Sequence, residues 1–152
     1  MKKNIIVRQA VFADIESLAL LFDRYRQFYE YPGDLHGARD FLTARFNHGE
    51  SILFIAEQHA ESVGFAQMYP SFSSVALARS FLLNDLFVRD DCRREGVGSR
   101  LLTACVDYAG SLGAVRLTLA TALGNKPAQA LYAAAGWKRD EQFSVYHYII
   151  GA

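Results

Sequence analysis

The sequence predicts an α/β domain in which a mixed, mostly antiparallel sheet is flanked by helices, in the order β-α-α-β-β-β-α-β-α-β. Apolar residues recur at helical spacing in four segments, and shorter β-rich runs bounded by turn residues indicate six strands. Helices and strands are interleaved along the chain, which is typical of a sheet covered by helices. A length of 152 residues fits one domain with its own core, so we expect residues 1–152 to form a single domain.

The first half of the chain predicts two helices between the first strand and a hairpin. A strand at Ile5 to Arg8 precedes a helix with Asp14 in its first turn and apolar positions at Ile15, Leu18, Phe22 and Tyr25. After Pro32-Gly33-Asp34, a second helix is marked by Ala38, Phe41, Leu42, Arg45 and Phe46. The runs Ile52 to Glu57 and Val63 to Tyr69 predict an antiparallel hairpin that Pro70 closes.

The second half begins with a polar connection, Ser71 to Ser80, and a central strand, Phe81 to Val88. A helix then carries apolar residues from Leu101 to Leu112 and ends at Gly113. The remaining predicted elements are a strand at Val115 to Ala120, a helix from about Lys126 to Ala135 with Pro127 in its first turn, and a last strand at Phe143 to Ile150. These elements complete the mixed sheet.

Composition and charge exclude several classes of protein. The chain has 16 basic and 16 acidic residues, so its charge favours neither nucleic acid nor an anionic membrane as a partner. Cys92 and Cys105 are too few for a disulfide framework and lack the spacing of metal ligands. The N-terminus does not resemble a signal peptide, and no apolar run reaches the length of a membrane helix. We therefore expect a cytoplasmic protein without a bound metal.

The segment after the central strand has the features of a phosphate-binding loop: Arg93, Arg94, Glu95, Gly96, Val97, Gly98 and Ser99. It leads into an amphipathic helix, whose first N–H groups attract anions, and the two glycines remove side chains that would hold an anion away. The arginines can add charge-assisted donors. The spacing alone fits equally well a simple turn with solvated arginines. The motifs of P-loop nucleotidases and of dinucleotide-binding proteins are both missing.

The loop, Arg93-x-x-Gly96-x-Gly98, resembles the [RQ]-x-x-G-x-[GA] cofactor loop of the GNAT superfamily of N-acetyltransferases. A second segment, Asn125-x-x-Ala128-x-x-Leu-Tyr132 followed by Gly136-Trp137, is similar to the family's second cofactor motif. The resemblance covers nearly the whole chain and implies acetyl-coenzyme A as co-substrate. Phe28-Tyr29-Glu30 and the strand around Asn84-Asp85 resemble the diamine and polyamine acetyltransferase branch, although Asn84 stands where that branch has glutamate.

The resemblance also implies roles for individual residues. The pantetheine arm would pair with the main chain of Leu86, Phe87 and Val88, and an N–H near Leu86 would face the negative charge developing on the carbonyl oxygen. Asn125 and Ala128 would help to bind the cofactor, and Tyr132 would act as the general acid. Plainer interpretations stay open, since the strand residues also suit a core, Asn125 suits a helix cap, and Tyr132 can be an ordinary helix aromatic.

Asp85 is the candidate catalytic carboxylate, and because an ordinary aspartate is a weak base, a water relay beginning at Asp85 and Asn84 would deprotonate the acceptor amine, with Asn84 as a substrate-binding residue. Side chains alternate along a regular strand, so only a bulge would direct both to one site. Asp85 is equally well interpreted as a buried carboxylate paired with main-chain donors or an arginine. Tyr25 and Tyr29 lie where the family builds its acceptor pocket, although a helix packing its aromatics on the sheet would look the same.

These observations predict an enzyme that transfers an acetyl group from acetyl-coenzyme A to a primary amine of a small molecule, such as a polyamine, a diamine or an amino-acid-like amine. The resemblance implies direct attack of the amine in a ternary complex. A peptide or protein lysine acetyltransferase is the alternative acceptor class, and a noncatalytic acyl-coenzyme A-binding regulator is the alternative kind of protein. The family also implies a homodimer, formed through edge strands or the segment Tyr146 to Ile150.

Overall fold

A computed structural model describes residues 4–151 of the chain. The elements, in chain order, are β1 (Ile5–Gln9), α1 (Ile15–Phe28), α2 (Leu35–Asn47), β2 (Ile52–Gln58), β3 (Glu61–Ser73), β4 (Ala78–Val88), α3 (Val97–Ser111), β5 (Leu117–Thr118) and α4 (Lys126–Ala134). Short 3-10 turns, Phe12–Asp14 and Asp90–Cys92, precede α1 and follow β4. The predicted α/β class and the order of its first nine elements are confirmed.

The described chain divides into two compact units, residues 4–120 and 121–151. The first unit contains a 5-stranded sheet in the order β1-β2-β3-β4-β5. Neighbouring strands are antiparallel except for β4 and β5, which are parallel. The predicted mixed, mostly antiparallel sheet is thus confirmed. The second unit contains α4 and, after it, residues without helix or strand. No helix of the described residues is long and apolar enough to cross a membrane.

The core on one face of the sheet forms where α1 and α2 cover β2 and β3. The predicted apolar positions of α1 and α2 meet there, with Leu18 and Leu42 fully buried. Phe22 of α1 packs edge-on against Phe65 of β3, with ring centroids 6.0 Å apart. On the opposite face α3 supplies Tyr108, whose ring lies 6.0 Å from that of Phe81 in β4. Apolar burial of this kind is the main force holding the layers together.

The prediction that Pro70 ends its strand is wrong, because β3 continues to Ser73 and forms a long hairpin with β4. The predicted connection from Ser71 to Ser80 is therefore mostly strand. The missing N–H of proline is tolerated for two reasons. β2 pairs with β3 only as far as Met68, so Pro70 has one neighbouring strand. Its partner Phe81 donates its N–H away from β3, to Arg116 O at 3.1 Å, so this pair needs no hydrogen bond from Pro70.

The last predicted strand, Phe143 to Ile150, does not form: residues 143–149 have no assigned secondary structure and Ile150 lies in a turn. The alternation of apolar residues in this segment has strand character, but a strand exists only where a neighbouring strand supplies the hydrogen bonds. The described sheet has no ladder that includes these residues. The predicted strand at Val115 to Ala120 is shorter than expected for a related reason, since only Leu117 and Thr118 pair with β4.

Candidate active site

The glycine-containing loop lies between β4 and α3, as predicted. Gly96 has φ +87°, a left-handed conformation that glycine adopts without strain, and its carbonyl accepts the first N–H bond of the helix, from Arg100 N at 3.1 Å. The N–H groups of Val97, Gly98 and Ser99 therefore lie in the first turn of a 15-residue helix, where no helical carbonyl can accept them. Such a helix end is suited to an anion.

The two arginines of the loop are placed differently. Arg93 donates from Nε to Val88 O at 3.0 Å and pairs with Asp90 at 3.0 Å. Its guanidinium also lies over the rings of Phe28 and Phe87, at 5.5 and 5.8 Å. Arg94, with φ +63°, is exposed and forms no ion pair with any described residue. Arg94 is therefore a cation beside the helix end that has no ion pair among the described residues, whereas Arg93 is hydrogen-bonded to the last residue of β4.

The edge of β4 that leads to the loop has no strand of the described residues beside it. Within the first unit β5 pairs only with Phe81 and Leu82, so the part of β4 beyond them has β3 on one side alone. Arg89 N donates to Val63 O at 2.8 Å, so by alternation Phe87 also faces β3. The main-chain groups of Leu86 and Val88 consequently point to the unpaired side. They form an edge that an extended, amide-containing ligand can extend.

A β-bulge interrupts β4 at Asn84. Gln67 of β3 is opposite Asp85, but the next residue, Met68, is opposite Leu83, so Asn84 is the extra residue. Leu83 shares the face of Phe81, which packs on α3, whereas Asp85 shares the face of Phe87, which packs on α1. The bulge thus moves Asp85 to the face covered by α1. It also allows Asn84 Nδ2 to donate to Asp85 Oδ1 at 3.0 Å, so the side chains of the two predicted residues are in contact.

Asp85 is the centre of a small polar cluster and is itself only 4% exposed. Gln67 Nε2 donates to its Oδ2 at 2.7 Å, and the Tyr25 hydroxyl also hydrogen-bonds the carboxyl group. Burial raises the pKa of Asp85 above its ordinary value, and the hydrogen bonds from Gln67, Tyr25 and Asn84 oppose that rise. The sequence suggested main-chain donors or an arginine as partners of a buried Asp85, but the partners in the structure are these side-chain donors. A buried carboxyl group with a raised pKa is a stronger base than an exposed one.

Tyr25 and Tyr29 form an aromatic surface at the end of α1. Their ring centroids are 5.2 Å apart and nearly perpendicular, and Tyr29 is 47% exposed. The Tyr25 hydroxyl lies 3.4 Å from Asn84 O, so Tyr25 joins this surface to the bulge. A cleft of about 620 Å³ lies alongside and is lined by Arg24, Gln27, Phe28, Glu61, Phe87, Arg89, Asp90 and Asp91.

The second predicted motif lies in the unit of residues 121–151. Asn125 caps α4, because its side chain accepts the N–H of Ala128 at 3.3 Å, and Pro127 occupies the first turn. The helix ends at Ala134, and Gly136 follows it with φ +93°. There the N–H of Trp137 bonds back to Tyr132 O at 3.0 Å, and the rings of Tyr132 and Trp137 lie 6.2 Å apart. The motif spacing thus fixes both ends of one short helix.

Gln67 is the member of the polar cluster that the sequence analysis missed. It lies in the run Val63 to Met68, where all six residues are buried, and it is fully buried itself. The only signal is a polar residue inside an otherwise apolar strand, which by itself indicates no particular partner. Its contact with Asp85 depends on the register at the bulge, and the sequence does not specify that register.

The site described so far combines a bulged strand, an open strand edge and a glycine loop at the start of a helix. Residues 18–137 match the model of the Acetyltransferase (GNAT) family, and the chain belongs to that family. It is 47% identical over 140 residues to the "Uncharacterized N-acetyltransferase YhfO" of Bacillus subtilis (strain 168), covering 92% of this chain and 94% of that protein. The protein is therefore an acetyltransferase, as predicted.

Two further similarities cover most of the chain. The crystal structure of a probable acetyltransferase superposes with a TM-score of 0.92 at 35% identity, covering 97% of this chain and 99% of that one. The L-methionine sulfoximine/L-methionine sulfone acetyltransferase of Pseudomonas paraeruginosa (strain DSM 24068 / PA7) is 26% identical over 137 residues, covering 87% of this chain and 79% of that enzyme. The first similarity supports the fold over nearly the whole length of both chains.

Proposed function

We propose that this acetyltransferase transfers the acetyl group of acetyl-coenzyme A to the primary amine of a small molecule, by direct attack in a ternary complex. The observation that carries the proposal is the open edge of β4. This edge connects the bulge beside Asp85 with the loop at the start of α3. A coenzyme A thioester carries its diphosphate, its amide-containing arm and its reactive carbonyl in a corresponding order.

The chain offers a fitting partner for each part of that molecule. The N–H groups of Val97, Gly98 and Ser99 would hold the diphosphate, with Arg94 as an additional cation. The outward main-chain groups of Leu86 and the outward N–H of Val88 would pair with the amides of the arm, while Val88 O accepts from Arg93. When bound, the thioester supplies an activated acetyl group. The outward N–H of Leu86 is then the main-chain donor nearest to the Asp85 cluster on that edge.

Asp85 would accept the proton that the acceptor amine must lose. An alkyl ammonium group has an ordinary pKa of about 10.4. Because the pKa of Asp85 is raised, the difference between the pKa of the ammonium group and that of Asp85 is smaller than for an exposed aspartate. Because Asp85 is only 4% exposed, the proton needs a carrier. Tyr25 is less deeply buried and hydrogen-bonds the carboxyl group, so its hydroxyl can pass one proton to Asp85 while receiving another from the substrate side.

Tyr132 would supply the proton that the departing thiolate takes up. This role is proposed from the matching motif, in which Asn125 and Ala128 fix the start of the helix that carries Tyr132. A phenol with an ordinary pKa of about 10 can protonate a thiolate. Tyr132→Phe should lower kcat much more than it weakens binding of acetyl-coenzyme A, since the substitution removes the proton and keeps the ring.

The surface at the end of α1 supports a small cationic acceptor. The rings of Tyr25 and Tyr29 offer π faces to an ammonium group, and Asn84 and Asp85 lie next to Tyr25. Diamines, polyamines and amino-acid-like amines all fit this chemistry. The Pseudomonas relative, named for methionine sulfoximine and methionine sulfone, supports the amino-acid-like members of the set.

A thiol-release assay with acetyl-coenzyme A and a panel of amines tests the proposal. We expect free thiol with at least one small primary amine, and much less with Asp85→Asn or Tyr132→Phe at unchanged cofactor affinity in calorimetry. Turnover with lysine peptides alone would assign the acceptor to the protein class. A failure to bind acetyl-coenzyme A would refute the proposed cofactor.

We also propose that both units belong to one acetyltransferase domain, because the family match at residues 18–137 extends across their boundary. A homodimer and a cytoplasmic location remain predictions from the family and the sequence. Analytical ultracentrifugation at several concentrations tests the first, and a sedimentation coefficient of a monomer throughout would contradict it. Fractionation of cells that express the protein tests the second.

A further inference from the structure

Gln67 combines three properties that a simple core residue does not have. Its side chain is fully buried in the middle of β3, and its Nε2 donates to Asp85 Oδ2 at 2.7 Å. Its Oε1 is buried without a hydrogen-bond partner among the described residues. A buried acceptor that is left unpaired costs stability, and an apolar side chain of the same length would avoid that cost.

We propose that Gln67 is a positioning residue that holds the carboxyl group of Asp85 toward α1 in both of its protonation states. The inference rests on the proposed function, in which Asp85 accepts a proton in each turnover. While the carboxyl group is ionised, Gln67 Nε2 donates to it, as the structure shows. Once it is protonated, a half-turn of the Gln67 amide presents Oε1 as an acceptor for the Asp85 O–H.

The location of the pair makes this exchange specific to Asp85. Gln67 is directly opposite Asp85 in the β3–β4 ladder, immediately beside the bulge at Asn84. A regular strand would direct residue 85 to the face of α3, away from Gln67. The proton itself moves from the substrate side to Asp85, and the amide only rotates. No proton is bound to or lost from Gln67 in this cycle.

Few other titratable groups act on this carboxyl group. Tyr25 faces it from α1 and hydrogen-bonds it. Tyr69 of β3 is half-buried, and burial together with the charge of Asp85 raises the pKa of Tyr69 to about 12, while Arg45 of α2 opposes that rise. The Tyr69 phenol therefore stays neutral near neutral pH. A titration seen at this carboxyl group in that range is not that of Tyr69.

The test compares the full-length protein with Gln67→Met, which keeps the length of the side chain and removes both polar atoms. Gln58→Met is the matched control, because Gln58 is also a buried strand glutamine, 7% exposed, and it pairs with Ile5 and Glu61. The first readout is the titration of the Asp85 carboxyl carbon by NMR. The second is the pH profile of kcat/KM in the thiol-release assay.

We expect Gln67→Met to move the Asp85 titration to higher pH, by up to about one pH unit, because the bond that the ionised form loses is charge-assisted and stronger than the bond that the protonated form loses. The acid limb of kcat/KM should move equally, with the KM for acetyl-coenzyme A unchanged, and Gln58→Met should move neither. An Asp85 titration identical to that of the unmodified protein would overturn the inference. If the titration moves and the acid limb does not, Gln67 positions Asp85 as inferred, and the proposed role of Asp85 as the base is wrong.

Should Gln67→Met fail to fold, Gln67→Glu replaces it, since glutamate has the same length and can also donate when protonated. Two carboxyl groups in contact share a proton, so we expect two coupled titrations separated by more than one pH unit. Two independent titrations with ordinary values would overturn the inference.

Discussion

Gly96 offers the sharpest test of the diphosphate site, because two substitutions of nearly equal size differ there only in charge. Its φ is +87°, and no atom lies within 4 Å of an added Cβ, so a side chain meets no steric obstacle. A left-handed residue other than glycine costs roughly 1–2 kcal/mol, and asparagine and aspartate tolerate it best. Gly96→Asn and Gly96→Asp should therefore destabilise the fold by similar, small amounts.

The two variants should differ in binding, since the aspartate places a negative charge at the helix end that would hold the diphosphate. A unit charge about 5 Å from another contributes ~3 kcal/mol at an effective dielectric constant of about 20, and exposure of this loop reduces that value by roughly half. We expect Gly96→Asp to bind acetyl-coenzyme A about 10-fold more weakly than Gly96→Asn.

Isothermal titration calorimetry measures this difference, with thermal melting of both variants as the control for folding. The helix dipole favours an acidic residue at this end, so weaker binding by Gly96→Asp cannot be attributed to a less stable helix. The difference should shrink as salt is added. Equal affinities of the two variants at low salt would refute the placement of the diphosphate beside Gly96.

Three further predictions concern stability. At Gly64 an added Cβ would lie 2.8 Å from the main-chain oxygen of Phe87, so Gly64→Ala should lower the free energy of unfolding in urea by about 1–3 kcal/mol. Gly110→Ala in α3, where the added Cβ meets open space, should raise it by about 0.5–1 kcal/mol. Equal effects of the two substitutions would contradict the close contact at Gly64. Because burial raises the pKa of Asp85, the native state holds that proton more tightly than the unfolded chain does, so stability should fall as pH rises above the ordinary value of 3.8. Asp85→Asn should lack this part of the pH dependence, and parallel curves for the two proteins would refute it. Asn125→Ala removes the cap of α4 and should lower the local stability of that helix by about 1 kcal/mol. Hydrogen exchange should then be faster at the amides of residues 126–134, and unchanged exchange rates would argue against the cap.

The helices could be predicted closely because each carries its own signals. α3 ends at Ser111, just before Gly113, whose φ of +74° is the conformation that its position predicts. α4 begins after the Asn125 cap and ends before Gly136. These signals lie within one or two turns of the helix and need no distant partner.

The strands were harder to delimit because a strand depends on its neighbour. Pro70 looks like a terminator, yet it is harmless where β2 has already ended. Phe143 to Ile150 has the residue pattern of a strand and forms none. The contact of Gln67 with Asp85 could not be predicted for the same reason, because it depends on the pairing of two strands. A shift of one residue in their register would have placed Gln67 opposite another residue.

The bulge at Asn84 links the two halves of the proposed site. β5 pairs with β4 at Phe81 and Leu82, before the bulge, and no described strand pairs with that edge after it. A bulge bends its strand and increases the local twist, so we expect β4 to turn away from β5 at the point where the pairing stops. The same extra residue moves Asp85 to the face of Gln67 and Tyr25. One irregularity therefore accounts both for the edge that would receive the cofactor and for the carboxylate that would serve the acceptor.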